Sequence, residues 1–234
     1  MKRSFLTIST FAVILLGVFI SLSGCKEEDD NNPQPTVTDI DGNVYHTVTI
    51  GTQVWMVENL KTTRCNDGTP ITLETDGWAW TNLYAPGYCW YENDSATYKT
   101  TYGALYNWWA VNTGKLCPTG WHVPTDAEWA ILTDYLGGTG VAGGKLKETG
   151  TIHWQSPNTG ATNETGFTAV PGGYRLYQDG TFDHIGSTGY WWSSSEGDYS
   201  PLVWGRYIYF NDVIEDRIIT FAYCGYSVRC IKDE

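Results

Sequence analysis

The 234-residue sequence has few positive charges, no long apolar run and no internal repeat. Its 14 Lys and Arg residues are scattered singly among 26 acidic residues, whereas contacts to nucleic acid phosphates need clustered basic side chains. The longest apolar run, Phe11 to Ile20, has about half of the ~20 residues that a membrane-spanning helix needs. The composition therefore argues against a nucleic acid partner and a spanning helix, and the lack of repeats excludes solenoids and propellers.

No complete catalytic motif is present either. Ser193-Ser194-Ser195-Glu196 lacks the glycines of a nucleophile elbow, and no glycine-rich phosphate loop occurs. The cysteines and histidines are too dispersed for a zinc motif. Asp39-Ile40-Asp41-Gly42-Asn43 resembles the start of a calcium loop, but Ile50 stands where its final acid belongs, so we interpret it as a β-turn. We predict no catalytic residue, metal or cofactor, although carboxylate pairs for glycoside hydrolysis depend on spatial distances that the sequence leaves open.

The N-terminus has the pattern of an export signal. Lys2 and Arg3 precede the apolar run, and Leu22-Ser23-Gly24-Cys25 closes it, which is typical of a lipobox. We predict a signal peptide over residues 1–24 and lipidation of Cys25, with two or more acyl chains holding the protein on a membrane. Removal of the signal takes the formal net charge from −12 to −14, because two positive charges leave. We interpret this acidity as favouring the solubility of an exposed protein.

A charged segment follows the lipidation site. Residues 26–30 are Lys-Glu-Glu-Asp-Asp, and no apolar residue occurs before Val37, so we predict a disordered acidic tether over residues 25–38. The charged run resembles the signal that directs lipoproteins of the Bacteroidetes type to the outer face of the outer membrane. This resemblance implies a lipid-anchored protein that faces the cell exterior, and the alternative is an ordinary solvated spacer.

From residue 39 to 234, the sequence predicts one domain built from short strands. Val44 to Ile50 alternates apolar and polar residues, Gly51-Thr52 fits a two-residue turn, and Val54 to Val57 returns as the second strand of a hairpin. Aromatic and β-branched residues predict further strands at 167–170, 173–177, 189–194, 202–210, 214–222 and 226–231.

Two helices are predicted. Thr125 and Glu128 form a capping box that begins the first helix, and Gly137-Gly138 ends it. The apolar stripe of this helix consists of Trp129, Leu132 and Leu136. The second helix is predicted from Tyr102 to Asn112, where apolar residues again recur at helical spacing.

Five cysteines remain after Cys25: Cys65, Cys89, Cys117, Cys224 and Cys230. An exported chain folds in an oxidising compartment, where disulfides are the default, but an odd count leaves at least one thiol unpaired. The count alone does not assign the pairs.

Several segments resemble the Fibrobacter succinogenes major paralogous domain. They occur in the family's order and are 50–56, 102–108, Cys117–Trp129, Gly166–Arg175, Gly189–Ser194 and Tyr226–Cys230. The resemblance extends from about Asp39 to Lys232. It implies an exported or lipid-anchored protein without a defined biochemical activity. It also implies a disulfide between Cys117 and Cys230.

A more distant similarity concerns the fold. Val123–Trp129 and Gly225–Cys230 are similar to two signature stretches of formylglycine-generating enzymes. This similarity implies an α+β, C-type-lectin-like fold: two helices beside short, irregular antiparallel strands, with the last strand paired to the first hairpin. Those enzymes hold copper with two thiols on a late strand, but the corresponding stretch here, Trp204–Tyr209, has no cysteine. A divergent oxidase, with copper on Cys224 and Cys230, or a hydrolase is the alternative to a non-catalytic module.

Twelve Trp and sixteen Tyr are the remaining clue to function. Their rings present an apolar face and a hydrogen-bonding edge to a sugar or a partner protein. Because side chains alternate across a strand, we expect one of Trp191 and Trp192 to be exposed. By analogy with lectin-like folds, we predict one groove lined by Tyr174, Trp192, Trp204, Arg206 and Tyr209. The sequence thus predicts a surface-tethered module that binds a glycan or a protein, or that has a structural role.

Overall fold

The computed structural model describes residues 34–234. The predicted signal peptide, Cys25 and most of the predicted tether lie outside the described residues. The end of the predicted tether is wrong, because Thr36–Thr38 forms strand β1 and pairs antiparallel with the next strand, Val44–Ile50. The folded part therefore includes residues before Asp39.

Short strands and short helices alternate along the described residues. The strands are β1 (Thr36–Thr38), β2 (Val44–Ile50), β3 (Gln53–Met56), β4 (Thr72–Leu73), β5 (Gly87–Cys89), β6 (Leu105–Tyr106), β7 (Trp121–His122), β8 (Gly172–Arg175), β9 (Phe182–Ile185), β10 (Thr188–Glu196), β11 (Leu202–Tyr209), β12 (Glu215–Phe221) and β13 (Ile231–Lys232). The helices are α1 (Gly77–Thr81), α2 (Ser95–Tyr102), α3 (Trp108–Val111), α4 (Asp126–Tyr135) and α5 (Thr139–Leu146), with a 3₁₀ turn at Tyr91–Asn93. None of these helices is long and apolar enough to cross a bilayer.

The strands form three sheets, and the architecture is α+β. Their strand orders are β1-β2-β3-β13-β7, β12-β11-β10-β8-β9 and β4-β5-β6. The pairs are antiparallel except for β8 with β10 and β4 with β5. Ile231 of β13 pairs with Trp55 of β3, so the predicted pairing between the first hairpin and the last strand is confirmed.

The first hairpin and helix α4 form as predicted. Strands β2 and β3 pair around Gly51, whose φ of +63° is compatible with the predicted tight turn. At the start of α4, the Thr125 hydroxyl accepts from the Glu128 amide, and the Glu128 carboxylate accepts from the Thr125 amide. Both predictions rest on contacts between residues at most a few positions apart, so neighbouring sequence is enough to specify them.

The second predicted helix, Tyr102 to Asn112, is wrong. The chain there contains the end of α2, strand β6 and the single helical turn α3. Gly103 has a φ of +74°, and a Cβ at this position would lie 2.7 Å from the Leu60 backbone oxygen. Asn107 then accepts from the Ala110 amide and begins α3. The close approach of a distant segment therefore overrides the helical spacing.

The strand predictions in the second half are partly confirmed. Strands β10, β11 and β12 form close to their predicted bounds, and β8 overlaps its predicted segment, but β9 was not predicted. The predictions at 167–170 and 226–231 are wrong for most of their length. These segments make only isolated bridges, such as Lys147↔Ala169 and Trp191↔Ser227, before β13 begins.

Two aromatic clusters cover opposite faces of strand β10. Trp192 packs with Tyr226 on one face, and Trp191 belongs with Trp55 and Trp129 to the cluster on the other. Trp191 is 1% exposed and Trp192 is 0% exposed, so the prediction that one of them is exposed is wrong. The strand does alternate, but β10 lies in the middle of its sheet and both of its faces are covered.

The disulfide implied by the family resemblance is confirmed. Cys117 and Cys230 are bonded, with their Cα atoms 6.0 Å apart, and they are 113 residues apart in sequence. A crosslink that closes so long a loop contributes roughly 4 to 5 kcal/mol in the chain-entropy description. Cys65, Cys89 and Cys224 are buried free thiols. Because the Cys230 sulfur is bonded to Cys117, the copper pair considered for Cys224 and Cys230 is not formed.

Three buried cations bind backbone carbonyls rather than carboxylates. Lys147, Arg175 and Arg229 are each at most 1% exposed, and none of them has an ion-pair partner within residues 34–234. Arg229 donates to the backbone oxygen of Phe167 and to Oδ1 of Asn59, and its guanidinium lies 4.1 Å from the Phe167 ring centroid. These bonds attach the loop that precedes β8 to the segment that precedes β13.

Lys147 donates hydrogen bonds to backbone carbonyls of two other segments. Its Nζ donates to the backbone oxygens of Thr159 at 2.9 Å and Asp212 at 2.7 Å, and further oxygens from Tyr209 and Phe210 lie at 3.2 and 3.4 Å. Burial lowers the pKa of Lys147 to about 8, so the side chain remains charged at neutral pH. The turn between β11 and β12 is therefore held from inside by an ammonium group.

His122 joins α4 to the end of the chain. Its Nδ1 lies 2.7 Å from the Asp233 carboxylate, and its Nε2 lies 2.8 Å from the Glu128 carboxylate. Burial alone would lower the pKa of His122, but the two carboxylates outweigh it and raise that pKa. Burial would likewise raise the pKa of Glu128, but hydrogen bonds from Thr125 and His122 lower it.

We expect His122→Gln to destabilise the protein in a pH-dependent way. Because the pKa of His122 is raised on folding, its contribution is complete below the unfolded value of 6.5 and is lost as the pH rises through the folded value. The ion pairs are partly exposed, so the loss in the free energy of unfolding should be about 1 kcal/mol or less near pH 6 and smaller near pH 9. Urea unfolding of both proteins at the two pH values measures this, and a loss that does not shrink at high pH would contradict it.

Candidate functional site

The structure divides the five predicted ligand residues between the two faces of the second sheet. Trp204 and Arg206 lie on the face toward α4, Tyr174 and Tyr209 lie on the opposite face, and Trp192 is buried. The prediction of a single groove is therefore wrong. The residues are separated because side chains alternate along β11, so that even-numbered and odd-numbered positions lie on opposite faces.

Arg206 and Trp204 connect α4 to the sheet. Arg206 is 4% exposed, its Nη2 donates to the Asp126 carboxylate at 2.5 Å, and its Nη1 lies 3.4 Å from the Glu215 carboxylate. Burial raises the pKa of Glu215 more than Arg206 lowers it. Trp204 is half-buried beneath the guanidinium of Arg217, 4.4 Å from its ring centroid. Arg206 is thus an internal ion-pair residue and not an exposed ligand group.

Tyr174, Tyr190, Tyr207, Tyr209 and His184 form a continuous aromatic surface, which we call the tyrosine face. Tyr190 of β10 is directly opposite Tyr207 of β11, and their ring centroids are 6.2 Å apart. The Tyr174 ring lies 4.9 Å from Tyr190 and 5.3 Å from His184, and Tyr209 lies 5.1 Å from Tyr207. Strands β8 to β11 therefore bring together rings that are up to 35 positions apart.

Exposure increases from one edge of the tyrosine face to the other. Tyr190 is buried and its ring stacks on Tyr226 at 4.9 Å, whereas Tyr174 and Tyr207 are half-buried and Tyr209 is 38% exposed. Burial raises the pKa of Tyr174, Tyr190 and Tyr207, so their hydroxyls stay protonated at neutral pH. The face therefore has a rigid inner edge and an accessible outer edge that presents both ring surface and hydroxyl groups.

His184 occupies a backbone conformation that favours glycine. Its φ is +66°. It lies beside Gly173, whose φ is +61°. A Cβ added to Gly173 would lie only 2.5 Å from the Asp183 backbone oxygen. A left-handed φ costs roughly 1 to 2 kcal/mol for a residue with a side chain. Asp183 pairs with Tyr174 across the ladder, so ordinary alternation would send the next side chain to the other face. With the left-handed φ, the His184 imidazole lies on the same face as Tyr174 and contacts its ring.

An open cavity of about 470 Å³ lies at the outer edge of the tyrosine face. It is lined by His184, Ser187, Thr188, Tyr209, Phe210 and Asn211. This volume is within the roughly 300 to 1,000 Å³ of ordinary ligand pockets. The lining combines hydroxyl, amide and imidazole groups with aromatic rings, a set that suits a ligand with both apolar surface and hydroxyl groups.

The surroundings of the tyrosine face are acidic. The charge of Asp183 contributes to the raised pKa of Tyr174, and the charge of Asp216 contributes to that of Tyr207, each after the larger effect of burial. Negative charges near the rings oppose the approach of an anionic ligand. The electrostatics therefore favour a neutral or cationic ligand.

No metal-binding cluster of three His, Cys, Asp or Glu side chains occurs within residues 34–234. The Asp39 to Asn43 segment is the predicted β-turn, in which the Gly42 amide donates to the Asp39 backbone oxygen at 3.0 Å. The Asp39 carboxylate accepts from the Tyr45 hydroxyl at 2.6 Å and from the amides of Asp41 and Asn43. These bonds explain the acidic residue in this turn without a metal.

Three members of the tyrosine face were not predicted as ligand residues: Tyr190, Tyr207 and His184. The period-two spacing of Tyr207 and Tyr209 on a predicted strand is a signal that identifies two rings on one face. No local signal places His184 beside Tyr174, because that contact depends on the pairing of β8 with β9 and on a left-handed residue.

The family assignment agrees with these features. Residues 48–232 match the Fibrobacter succinogenes major domain, a span that includes the disulfide, helix α4 and the whole tyrosine face. No curated protein and no solved structure matches the chain. Since the matched span is most of the sequence, the chain belongs to the Fibrobacter succinogenes major domain family.

Proposed function

We propose that this chain is a non-catalytic module, lipid-anchored at the cell surface, whose tyrosine face binds a neutral glycan. The main support is the position of Tyr209: its exposed ring lines a cavity with hydroxyl, amide and imidazole groups, and the half-buried rings of Tyr207 and Tyr174 extend the same face behind it. Sugars present apolar C–H faces and hydroxyl edges, and such a surface complements both.

The tyrosine face is preorganised for binding. The Tyr190 ring is fixed between Tyr226 and Tyr174, and tyrosine loses little conformational entropy on contact because it has only two side-chain torsions. Surfaces that are already ordered lose less free energy on association. A rigid row of rings therefore favours a flat, extended ligand such as a segment of a polysaccharide.

The charge distribution selects a neutral glycan. The protein has a formal net charge of −12, and acidic side chains surround the tyrosine face. Sulfated or uronic-acid chains would be repelled, particularly at low salt. The same charge argues against nucleic acid.

The proposal places the module on the outer face of an outer membrane, anchored through lipid on Cys25. The lipobox, the basic residues before the apolar run and the acidic segment after Cys25 support it. The disulfide between Cys117 and Cys230 is in keeping with folding in an oxidising compartment.

The proposal also includes a C-type-lectin-like arrangement of the domain. The pairing of β3 with β13 near the two ends of the domain supports it, as does the packing of α4 against β10. The described residues contain five helices, whereas the sequence similarity implies an arrangement with two.

Lipidation at Cys25 has a direct test. We expect labelled palmitate to be incorporated into the wild-type protein in producing cells, and Cys25→Ala to abolish the label because the acceptor thiol is lost. Cys65→Ala is the control, since this cysteine is a buried free thiol of the folded domain. Equal labelling of wild type and Cys25→Ala would contradict the anchor.

Tyr209→Ala tests the glycan site. We expect it to weaken binding of the full chain to a neutral glycan about tenfold, or ~1.4 kcal/mol, because a stacking ring is removed from an exposed position. A glycan array identifies the ligand, and calorimetry measures the affinity. Tyr135→Ala on α4 is the matched control, because Tyr135 is 65% exposed and remote from the tyrosine face. Failure of the folded wild type to bind any neutral glycan, or an equal loss in the control, would contradict the proposal.

His184→Gly separates binding from stability. Glycine adopts the left-handed conformation without strain, so we expect the free energy of unfolding to stay constant or to rise by up to about 1 kcal/mol. Glycan affinity should nevertheless fall several-fold, because the imidazole at the cavity edge is lost. His184→Ala removes the ring but keeps the strain, and it should be the less stable of the two variants. If His184→Gly destabilises the fold instead, the imidazole contributes more to stability through its contacts than the left-handed φ costs, and the prediction is wrong.

A further inference from the structure

A second cavity, the Trp121 groove, lies on one face of the first sheet. Its volume of about 540 Å³ is within the roughly 300 to 1,000 Å³ of ordinary ligand pockets. Strands β1, β2, β3, β13 and β7 all contribute to its lining, which includes Val37, Thr47, Thr49, Val54, Trp121 and Lys232. The tyrosine face belongs to strands of the second sheet, so the two sites are separate.

The floor of the groove is a row of side chains that lie opposite one another on neighbouring strands. Thr49 of β2 pairs with Val54 of β3, and Lys232 of β13 pairs with Trp121 of β7. The register between β13 and β3 places Lys232 beside Val54. Side chains at such positions have Cβ atoms about 4.5 to 5.5 Å apart. The Lys232 ammonium group and the Trp121 ring therefore occupy adjacent positions on one face of the sheet.

The charge of the groove differs from that of the tyrosine face. Lys232 contributes an ammonium group, and none of the residues within 34–234 that line the groove is Asp or Glu. The next residue, Asp233, lies on the other face of the sheet, where its carboxylate is 2.7 Å from Nδ1 of His122. Exposed charges farther away than a Debye length, about 8 Å at physiological salt, are largely screened. The local lining therefore favours a ligand group with one negative charge.

The groove also has surfaces that suit a sugar ring. The Trp121 ring packs against the hydrophobic core on one side, is half-buried and lines the groove. Such a ring offers an apolar surface to the C–H face of a sugar. Thr49 is exposed, and the Thr47 hydroxyl donates to the Pro35 backbone oxygen at 3.1 Å, which leaves its oxygen free to accept. An aromatic platform, two hydroxyl groups and a cation thus line one cavity.

We infer that the Trp121 groove binds a single acidic sugar residue, that is, a sugar ring that carries a carboxylate. The sugar ring lies on the Trp121 indole, its carboxylate accepts from the Lys232 ammonium group, and its hydroxyl groups bond Thr49 and Thr47. A hydrogen bond between charged groups is roughly twice as strong as a neutral one, so the carboxylate makes the largest polar contribution. A ligand with one charge also avoids the repulsion that a polyanionic chain would meet from this acidic protein.

The test compares glucuronate with glucose, which has the same ring but an uncharged CH₂OH group in place of the carboxylate. The indole ¹⁵N–¹H signal of Trp121 in the full chain, assigned through Trp121→Phe, reports contact with the groove. We expect glucuronate to shift this signal saturably and glucose to bind about tenfold more weakly, because it lacks the charge-assisted hydrogen bond. Added salt should weaken the binding of glucuronate but not that of glucose.

Variants of Lys232 identify the group that binds the carboxylate. Lys232→Gln should weaken glucuronate binding about tenfold and leave glucose binding unchanged, whereas Lys232→Arg should retain most of the affinity because it keeps the charge. Lys145→Gln is the matched control, since Lys145 pairs with Glu164 and lies outside the groove. Because Lys232 is exposed, Lys232→Gln should unfold at the same urea concentration as the wild type.

The remaining outcomes separate this groove from the glycan site. Tyr209→Ala should leave the glucuronate response intact, so a failure at the tyrosine face does not affect this inference. Equal affinities for the two probes, no saturable response, or a response that survives Lys232→Gln would overturn the inference. A Trp121 signal that shifts with protein concentration in the absence of sugar would assign the groove to a second copy of the chain and would also overturn it.

Discussion

The fold depends on buried cations that bind backbone carbonyl oxygens. Its strands are short and its loops are long, so many carbonyls have no partner within a sheet or helix, and a buried carbonyl without a donor is costly. Arg175, Arg229 and Lys147 each satisfy several of them at once, with aromatic rings against their apolar or cationic surfaces. In a chain with only 14 basic residues, these three are used inside the protein rather than on its surface.

The same cations support the tyrosine face. Lys147 binds the backbone oxygens of Tyr209 and Phe210, which lie at the accessible edge of the face, and Arg175 directly follows Tyr174 on β8. An exposed aromatic row is useful for binding only if its rings keep their spacing, because ordering them on contact would cost free energy. The buried side chains of Lys147 and Arg175, together with the stacking of Tyr190 on Tyr226, hold the strands that carry these rings in place.

Sequence reasoning named two of the five residues of the tyrosine face. Tyr174 and Tyr209 were predicted to line one groove and do lie on one face of the sheet, but Trp204 and Arg206 lie on the other face. A strand at 202–210 was predicted, yet nothing in the sequence indicated which of its faces meets α4. Trp192 shows the same limit, because β10 is covered on both faces at this position and Trp191 and Trp192 are both buried. His184 depends on a strained φ, which sequence patterns do not reveal.

Local chemistry in the sequence determined the β2–β3 hairpin, the capped start of α4 and the strands β10 to β12, since each depends on residues close together in the chain. Family resemblance added the Cys117–Cys230 disulfide. The tertiary structure alone decided that 102–112 is not one helix and that His184 lies on Tyr174. Each of these depends on atoms from segments far apart in sequence, and the energies of such contacts are set by the packing of the whole domain.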